Sequence, residues 1–182
     1  MEAKMIIDNP GSWYIFIFST EYVNSPSDPG GTIEYNGRRL TNKEYLEYWG
    51  KWVFFGDPEE LAEMAKKLDP YVENHEIPCI KYDRKPQKWF ELEQCVMCVY
   101  CDYRQRDDVL GILSKFGIKI KAWTYDREVI QKWLPGGLHL ERWIKHHKLT
   151  EEDAETIREE SRQKYQKQFF DRPHDICMAW EQ

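Results

Sequence analysis

The chain switches repeatedly between apolar runs of strand length and apolar stripes at helical spacing, and those switches predict an ordered set of elements. Asn9-Pro10-Gly11 is a turn signal, and residues 12–19 after it are apolar at both parities and rich in aromatic and β-branched side chains. This predicts a strand covered on both faces. Residues 25–31 hold two Pro and two Gly and predict a loop. Thr32-Ile33-Glu34-Tyr35, Asn36-Gly37 and Arg38-Arg39-Leu40 together predict a hairpin with a type I′ turn, because both central positions need positive φ. Thr41-Asn42-Lys43-Glu44 matches a capping box and predicts a short helix through Trp49.

Residues 51–55 then predict a strand. Gly56-Asp57-Pro58-Glu59-Glu60 switches it to a helix, with Asp57 as N-cap and Pro58 in the first turn. Leu61, Ala65, Leu68 and Val72 form one apolar stripe, and Pro70 is expected to break the helix near Asp69. Residues 79–83 predict a short strand, 84–88 a basic loop and 94–101 another strand. Val109, Ile112, Leu113 and Phe116 recur at helical spacing after Asp107-Asp108, with Gly117 placed to end that helix. Residues 118–125 alternate as a half-exposed strand should. From 51 to 125 the order is strand, helix, strand, strand, helix, strand. This is a split β-α-β arrangement, an α+β class with two helices on one face of an antiparallel sheet, which the N-terminal strand and hairpin widen. Residues 150–169 carry a cap and then Ala154, Ile157, Ser161 and Tyr165, a narrow stripe among charges. The expected organisation is an α+β sheet domain over 1–149 and a C-terminal helix and tail over 150–182 packed on it. No repeat or low-complexity tract interrupts it.

Composition adds limits on partners. The 182 residues carry a formal charge of -6, so a nucleic-acid or anionic-lipid partner would need a local basic patch working against the mean field. Nucleic acid is therefore disfavoured. No secretion signal or apolar run near the ~18 residues of a membrane helix is present, which predicts a cytoplasmic protein without membrane association. Five cysteines lie among strand-like residues, and free thiols are expected.

Cys95-Val96-Met97-Cys98 has the spacing of a zinc knuckle but lies on a strand, where Cys95 and Cys98 point to opposite faces. Buried thiols are the better reading. His139, His146, His147 and His174 show no helical i, i+4 pair, and no phosphate loop, nucleophile elbow or dinucleotide fingerprint occurs, so neither a metal nor a cofactor is expected. Three strands end alike, in Tyr82-Asp83-Arg84, Asp102-Tyr103-Arg104 and Tyr125-Asp126-Arg127. The second and fourth strands of the split arrangement are expected to run the same way, so that Arg84 and Arg127 emerge at one end, with Lys81, Lys85, Lys119 and Lys121 nearby. Guanidinium forks at such an edge suit phosphate or carboxylate. The plainer reading is that each Arg pairs with its neighbouring Asp. Trp89 follows the basic loop and suits either stacking on a ligand ring or anchoring of the loop.

Gly50-Lys51-Trp52-Val53-Phe54, Cys98-Val99-Tyr100-Cys101, Gly117-Ile118 and Lys121-Ala122-Trp123-Thr124-Tyr125, in that order, resemble the basophilic-leukaemia-expressed-protein family, whose fold is like that of the mRNA cap-binding initiation factor 4E. The likeness spans about 12–140 and implies that fold. Cap-binding factors hold a methylated base between two Trp rings and fix it with a Glu, which Trp49 or Trp52 with Trp89 and Glu91 mimic only loosely. The same block is similar to bacterial phosphothreonine lyases, in which a Lys base, a His acid and Arg residues eliminate phosphate. By that likeness Val53 occupies the acid's position and Tyr100 or Cys101 the position of a strand-end Lys, while Arg127 matches a phosphate-binding Arg. Loss of both proton-transfer groups argues against the elimination.

The expectation is thus a non-catalytic binding domain for an anionic small molecule or phosphopeptide, held by Arg84, Arg127, Lys121 and Lys81, with Trp89 stacking on the ligand. The alternatives are a phosphothreonine-lyase-like carbon-oxygen lyase with Lys81 or Lys121 as base, a scaffold whose C-terminal helix meets a protein partner, and a cap-like nucleotide binder.

Overall fold

The computed structural model describes residues 2–19 and 33–178. The expected loop at 25–31 and the first hairpin residue, Thr32, lie outside them. The described residues form an α+β fold around a six-stranded antiparallel sheet. In chain order the elements are β1 (Ile6–Ile7), β2 (Tyr14–Phe18), β3 (Glu34–Tyr35), β4 (Arg38–Arg39), α1 (Asn42–Tyr48), β5 (Trp49–Gly56) and α2 (Pro58–Glu73). They continue as β6 (Cys79–Asp83), β7 (Cys95–Asp102), α3 (Arg106–Lys115), β8 (Ala122–Tyr125), α4 (Asp126–Trp133), α5 (Leu138–His146) and α6 (Glu151–Ser161). A π-helical stretch, Arg162–Phe170, follows α6 without a break.

Local chemistry explains most of the boundaries. Asn36 and Gly37 take φ of 50° and 72°, as a type I′ turn between β3 and β4 requires. Thr41 accepts the Glu44 amide, but the Glu44 carboxylate turns to Arg38 instead of closing the box. At α2 the box is complete, with Asp57 and Glu60 satisfying each other's backbone and Pro58 in the first turn. Pro70 does not end this helix, which runs on to Glu73. It sits in the last turn, where few hydrogen bonds depend on it. Burial of Leu68 and Val72, with the Asp69 carboxylate receiving the Lys4 and Met5 amides, holds the turn in place. Strand β8 is shorter than the alternation at 118–125 predicts: its pairing to β5 stops at Ala122 opposite Val53, with one further bond from the Lys121 amide to the Val53 carbonyl. Gly50 admits β8 at the other end. A Cβ there would stand 2.6 Å from the Trp123 ring and 2.7 Å from the Thr124 carbonyl.

The sheet order is β1-β2-β6-β7-β5-β8, and every neighbouring pair is antiparallel. Helix α2 therefore joins β5 to β6 across β7, and α3 joins β7 to β8 across β5, each crossover linking two strands that run the same way. It follows that β6 and β8 run in opposite directions, contrary to the expectation that brought Arg84 and Arg127 together. Tyr82 stands level with Met97 and Phe54, whereas Tyr125 stands level with Gly50. Those levels are four positions apart on β5, about 14 Å at ~3.4 Å per residue, and each Arg lies two residues further outward along its chain.

One face of the sheet is packed by α2 and α3 through Ile17, Phe54, Leu61, Leu68, Ile80, Met97, Val99 and Leu113. The other face is covered at one end by α1, α4 and the π-helical stretch, around Phe16, Phe18, Trp49, Ile130, Tyr165 and Phe169. Helices α4 and α5, in a segment to which the sequence patterns assign no element, extend that cover. Ala154 of α6 packs on Leu140 and Ile144 of α5. The Asn42 amide donates to the Gln168 and Arg172 carbonyls, tying the end of the π-helical stretch to α1. No helix among the described residues is long and apolar enough to cross a membrane.

Candidate functional site

Strand register puts an unusual set of side chains on the second face. One row across the sheet reads Val53, Cys98, Lys81 and Phe16, and the next reads Thr124, Lys51, Tyr100, Cys79 and Phe18. Period-two alternation points all of these side chains away from α2 and α3. Part of this face stays open as a cavity of about 380 Å³, within the range of small-ligand sites. Its floor is Lys51, Val53, Lys81, Asp83 and Cys98, with Tyr14 beside Lys81.

The opposite wall is aromatic and comes from the loop after β6 and from α4 and α5. Trp89 lies 5.3 Å from Trp133 between ring centroids, Phe90 4.9 Å from His139, and Trp133 5.7 Å from His139. The wall is braced to the floor through Gln87, whose Nε2 donates to Asp83 Oδ1 at 2.8 Å and whose Oε1 accepts from Trp89 Nε1 at 3.0 Å. Asp83 Oδ2 in turn accepts the Val96 amide. Asp83 is thus turned into the protein while Arg84 is turned out.

The two floor lysines differ in their electrostatics. Lys51 forms a buried ion pair with Asp126 at 3.1 Å, and Asp126 also accepts the Tyr45 hydroxyl. Burial works against the charged form of Lys51, but the adjacent carboxylate prevails and holds its pKa above the ordinary lysine value. Lys81 has no carboxylate within ion-pair distance among the described residues. Its ammonium lies 4.4 Å from the centre of the Tyr14 ring. Burial, reinforced by repulsion from Lys51, lowers its pKa. The Cys98 thiol is pushed up by burial, so it stays protonated and unreactive. His139 is lowered to about 4 by burial and by the nearby Lys132 and Arg142, and its buried Nδ1 has no hydrogen-bond partner among the described residues. The ring is neutral near pH 7.

Of the residues singled out in the sequence, Lys81 and Trp89 meet in this cavity, and Arg84, Arg127 and Lys121 lie outside its lining. Arg84 is bound to the Asp8 carboxylate and to the Asn9 and Ser12 carbonyls. Arg127 stacks on Tyr125 at the far end of the sheet and reaches the Leu46 and Glu47 carbonyls. Lys121 is exposed in the loop before β8. Of the three strand-end pairs, Arg104 alone bonds its neighbouring aspartate, Asp102, through two nitrogens. Lys51, His139 and Trp133 were not singled out as a site. For Lys51 a signal is present, since like Lys81 it interrupts an apolar strand at a position whose i+2 or i−2 neighbour is apolar; His139 and Trp133 carry no such pattern.

Cys95 and Cys101 lie under the α2 and α3 face and Cys98 in the cavity, and all five cysteines are free and buried. No cluster among the described residues has the His, Cys, Asp or Glu donors for a metal ion. Larger clefts occur beside α2 and α3: one of about 610 Å³ is lined by Phe54, Phe55, Leu61, Met64 and Ile118 with a rim of glutamates and lysines, and one of about 730 Å³ by mixed charges; neither has a buried cation at its base. Comparison of the chain with models of protein families, with curated proteins and with solved structures finds no match.

Proposed function

We propose that this domain binds a small molecule that joins an anionic group, phosphate or carboxylate, to a flat apolar part, in the cavity between Lys81 and the Trp89 wall. The observation that carries the reading is Lys81: a half-buried ammonium in an open cavity, with a tyrosine face as its neighbour and, among the described residues, no carboxylate within ion-pair distance. Partial desolvation disfavours such a charge, and a cation-π contact at a half-buried site returns only ~1 kcal/mol. An entering anion supplies the missing counter-charge and makes a charge-assisted hydrogen bond. Trp89, Phe90, Trp133 and His139 offer rings to the rest of the ligand at low entropic cost.

The two crossovers through α2 and α3 support the reading of the fold as a split β-α-β sheet of the initiation factor 4E kind, and with it the resemblance to the basophilic-leukaemia-expressed-protein family. Isothermal titration with a panel of nucleoside monophosphates, phosphorylated aromatic acids and indole carboxylates tests the binding. At least one should bind saturably to the native chain and lose about 10- to 100-fold in affinity in Lys81→Met, the worth of one charge-assisted contact. Equal binding by the native chain and the variant removes the reading.

A second reading, a lyase acting on a phosphate ester, is favoured by the lowered pKa of Lys81, as a general base requires. Incubation with a phosphothreonine peptide and no release of phosphate disposes of it.

A further inference from the structure

Lys81 has a second chemical capacity, and it rests on the reading of the cavity as a ligand site. We propose that Lys81 is a nucleophilic amine that condenses with the carbonyl of an aldehyde- or ketone-bearing anion entering this cavity. The geometry has the parts such a residue needs. The amine sits on a rigid strand, with β2 on one side and β7 on the other, and opens into space enough for a ring-sized molecule. Another ammonium, Lys51, occupies the same floor and is kept charged by Asp126. A desolvated lysine beside a second fixed cation holds its proton weakly, which is how amines are made nucleophilic near neutral pH.

The groups facing the amine act in both directions. Lys51 from β5 lowers its proton affinity, while Asp83 on its own strand and Asp126 from α4 raise it. Burial is the largest influence and lowers it. Cys98 from β7 remains a neutral thiol, and the His139 ring from α5 is neutral, so neither restores a counter-charge. Tyr14 from β2 presents its ring face.

In the reaction the deprotonated amine attacks the carbonyl carbon as the C–O π pair moves to oxygen. A proton passes from nitrogen to that oxygen, giving a carbinolamine. The remaining N–H proton is passed to the hydroxyl, which departs as water while the nitrogen lone pair forms the C=N bond. Amine and carbonyl become imine and water, with no change of oxidation state.

The test uses the intact chain and two probes, pyridoxal 5′-phosphate and its alcohol counterpart pyridoxine 5′-phosphate. Limiting aldehyde is added near neutral pH, the imine is reduced with sodium borohydride, and the adducts are mapped by peptide mass spectrometry. Lys81 is expected to be labelled about tenfold faster than the exposed Lys119 and Lys121. Its rate should reach half-maximum at a lower pH than theirs, and Lys81→Arg should remove that label alone. The alcohol should compete at Lys81 and leave the exposed lysines unaffected. Labelling spread over surface lysines with no preference for Lys81 overturns the proposal. If the alcohol binds by titration while Lys81 is not labelled, the amine chemistry fails and the binding site stands. If the alcohol does not bind and Lys81 is not labelled, both fail.

Discussion

The two faces of the sheet are built from alternate residues of the same strands, yet they are made for different purposes. On β6, Ile80 is fully buried under α2, while Lys81, one residue on, opens into the cavity. On β7, Met97 and Val99 flank Cys98 in the same way, and on β5, Trp52 and Phe54 alternate with Lys51 and Val53. The α2 and α3 face is apolar along its length and covered by both helices. The opposite face carries two ammonium groups, a thiol and a carboxylate, and its cover leaves part of it open. A fold stabilised on one face can tolerate uncompensated charge on the other, which separates the residues that hold the protein together from those that meet a ligand.

The largest effects should fall where a buried group loses its only counterpart. Asp126→Ala strands the Lys51 ammonium and the Tyr45 hydroxyl, and should cost about 3–5 kcal/mol in denaturant unfolding. On the apolar face, Met97→Ala leaves a cavity worth about 2–5 kcal/mol, without changing which ligands bind. Lys81→Met should contrast with both: unfolding free energy unchanged or higher by about 1 kcal/mol, with ligand affinity lost. A Lys81→Met protein destabilised as much as Met97→Ala would show that the two faces are not divided in this way.

A smaller effect separates them by pH. His139 has a folded pKa near 4 against an ordinary value of 6.5, so the unfolded chain takes up its proton first as pH falls. Stability attributable to this ring is complete above about pH 6.5 and is lost progressively between there and pH 4. Allowing for the partial exposure of the ring, the loss should be about 1–2 kcal/mol. Asp83 acts in the opposite sense, since burial raises its pKa and the folded state there holds the proton more tightly. The His139 contribution is therefore read from the difference between the native chain and His139→Gln in thermal unfolding across that window. The difference curve should slope between pH 6.5 and 4 and be flat above.

What was legible in the sequence follows the range of the interactions. The Asn36-Gly37 turn, the Asp57 cap, the Gly117 stop and the opposed faces of Cys95 and Cys98 all depend on neighbours a few residues away, and each has the predicted geometry. Pro70 was misjudged because burial of Leu68 and Val72, a tertiary effect, outweighs one lost hydrogen bond. The site was half legible. Lys81 and Trp89 were selected for their chemistry, but their meeting depends on α4 and α5 folding back over the sheet, and residues 126–146 were not read as helices. Strand direction decided the rest. Charged residues at strand ends mark an edge, but which edge depends on the crossovers that α2 and α3 make, and no local pattern encodes that.

The arginines give the smallest and most discriminating effect. Arg84 and Arg127 are already satisfied, the first by Asp8 and two carbonyls and the second by two carbonyls and the Tyr125 ring, and both are solvent-accessible at opposite ends of the sheet. Such partly exposed contacts are worth about 0–1 kcal/mol each. Arg84→Ala and Arg127→Ala should therefore change affinity for a phosphate-bearing ligand by less than about fivefold, singly and together, and their effects should add because the sites are far apart. A larger or non-additive loss in the double variant would mean that the anion is held at an edge both guanidinium groups reach, which strands β6 and β8 running in opposite directions do not allow.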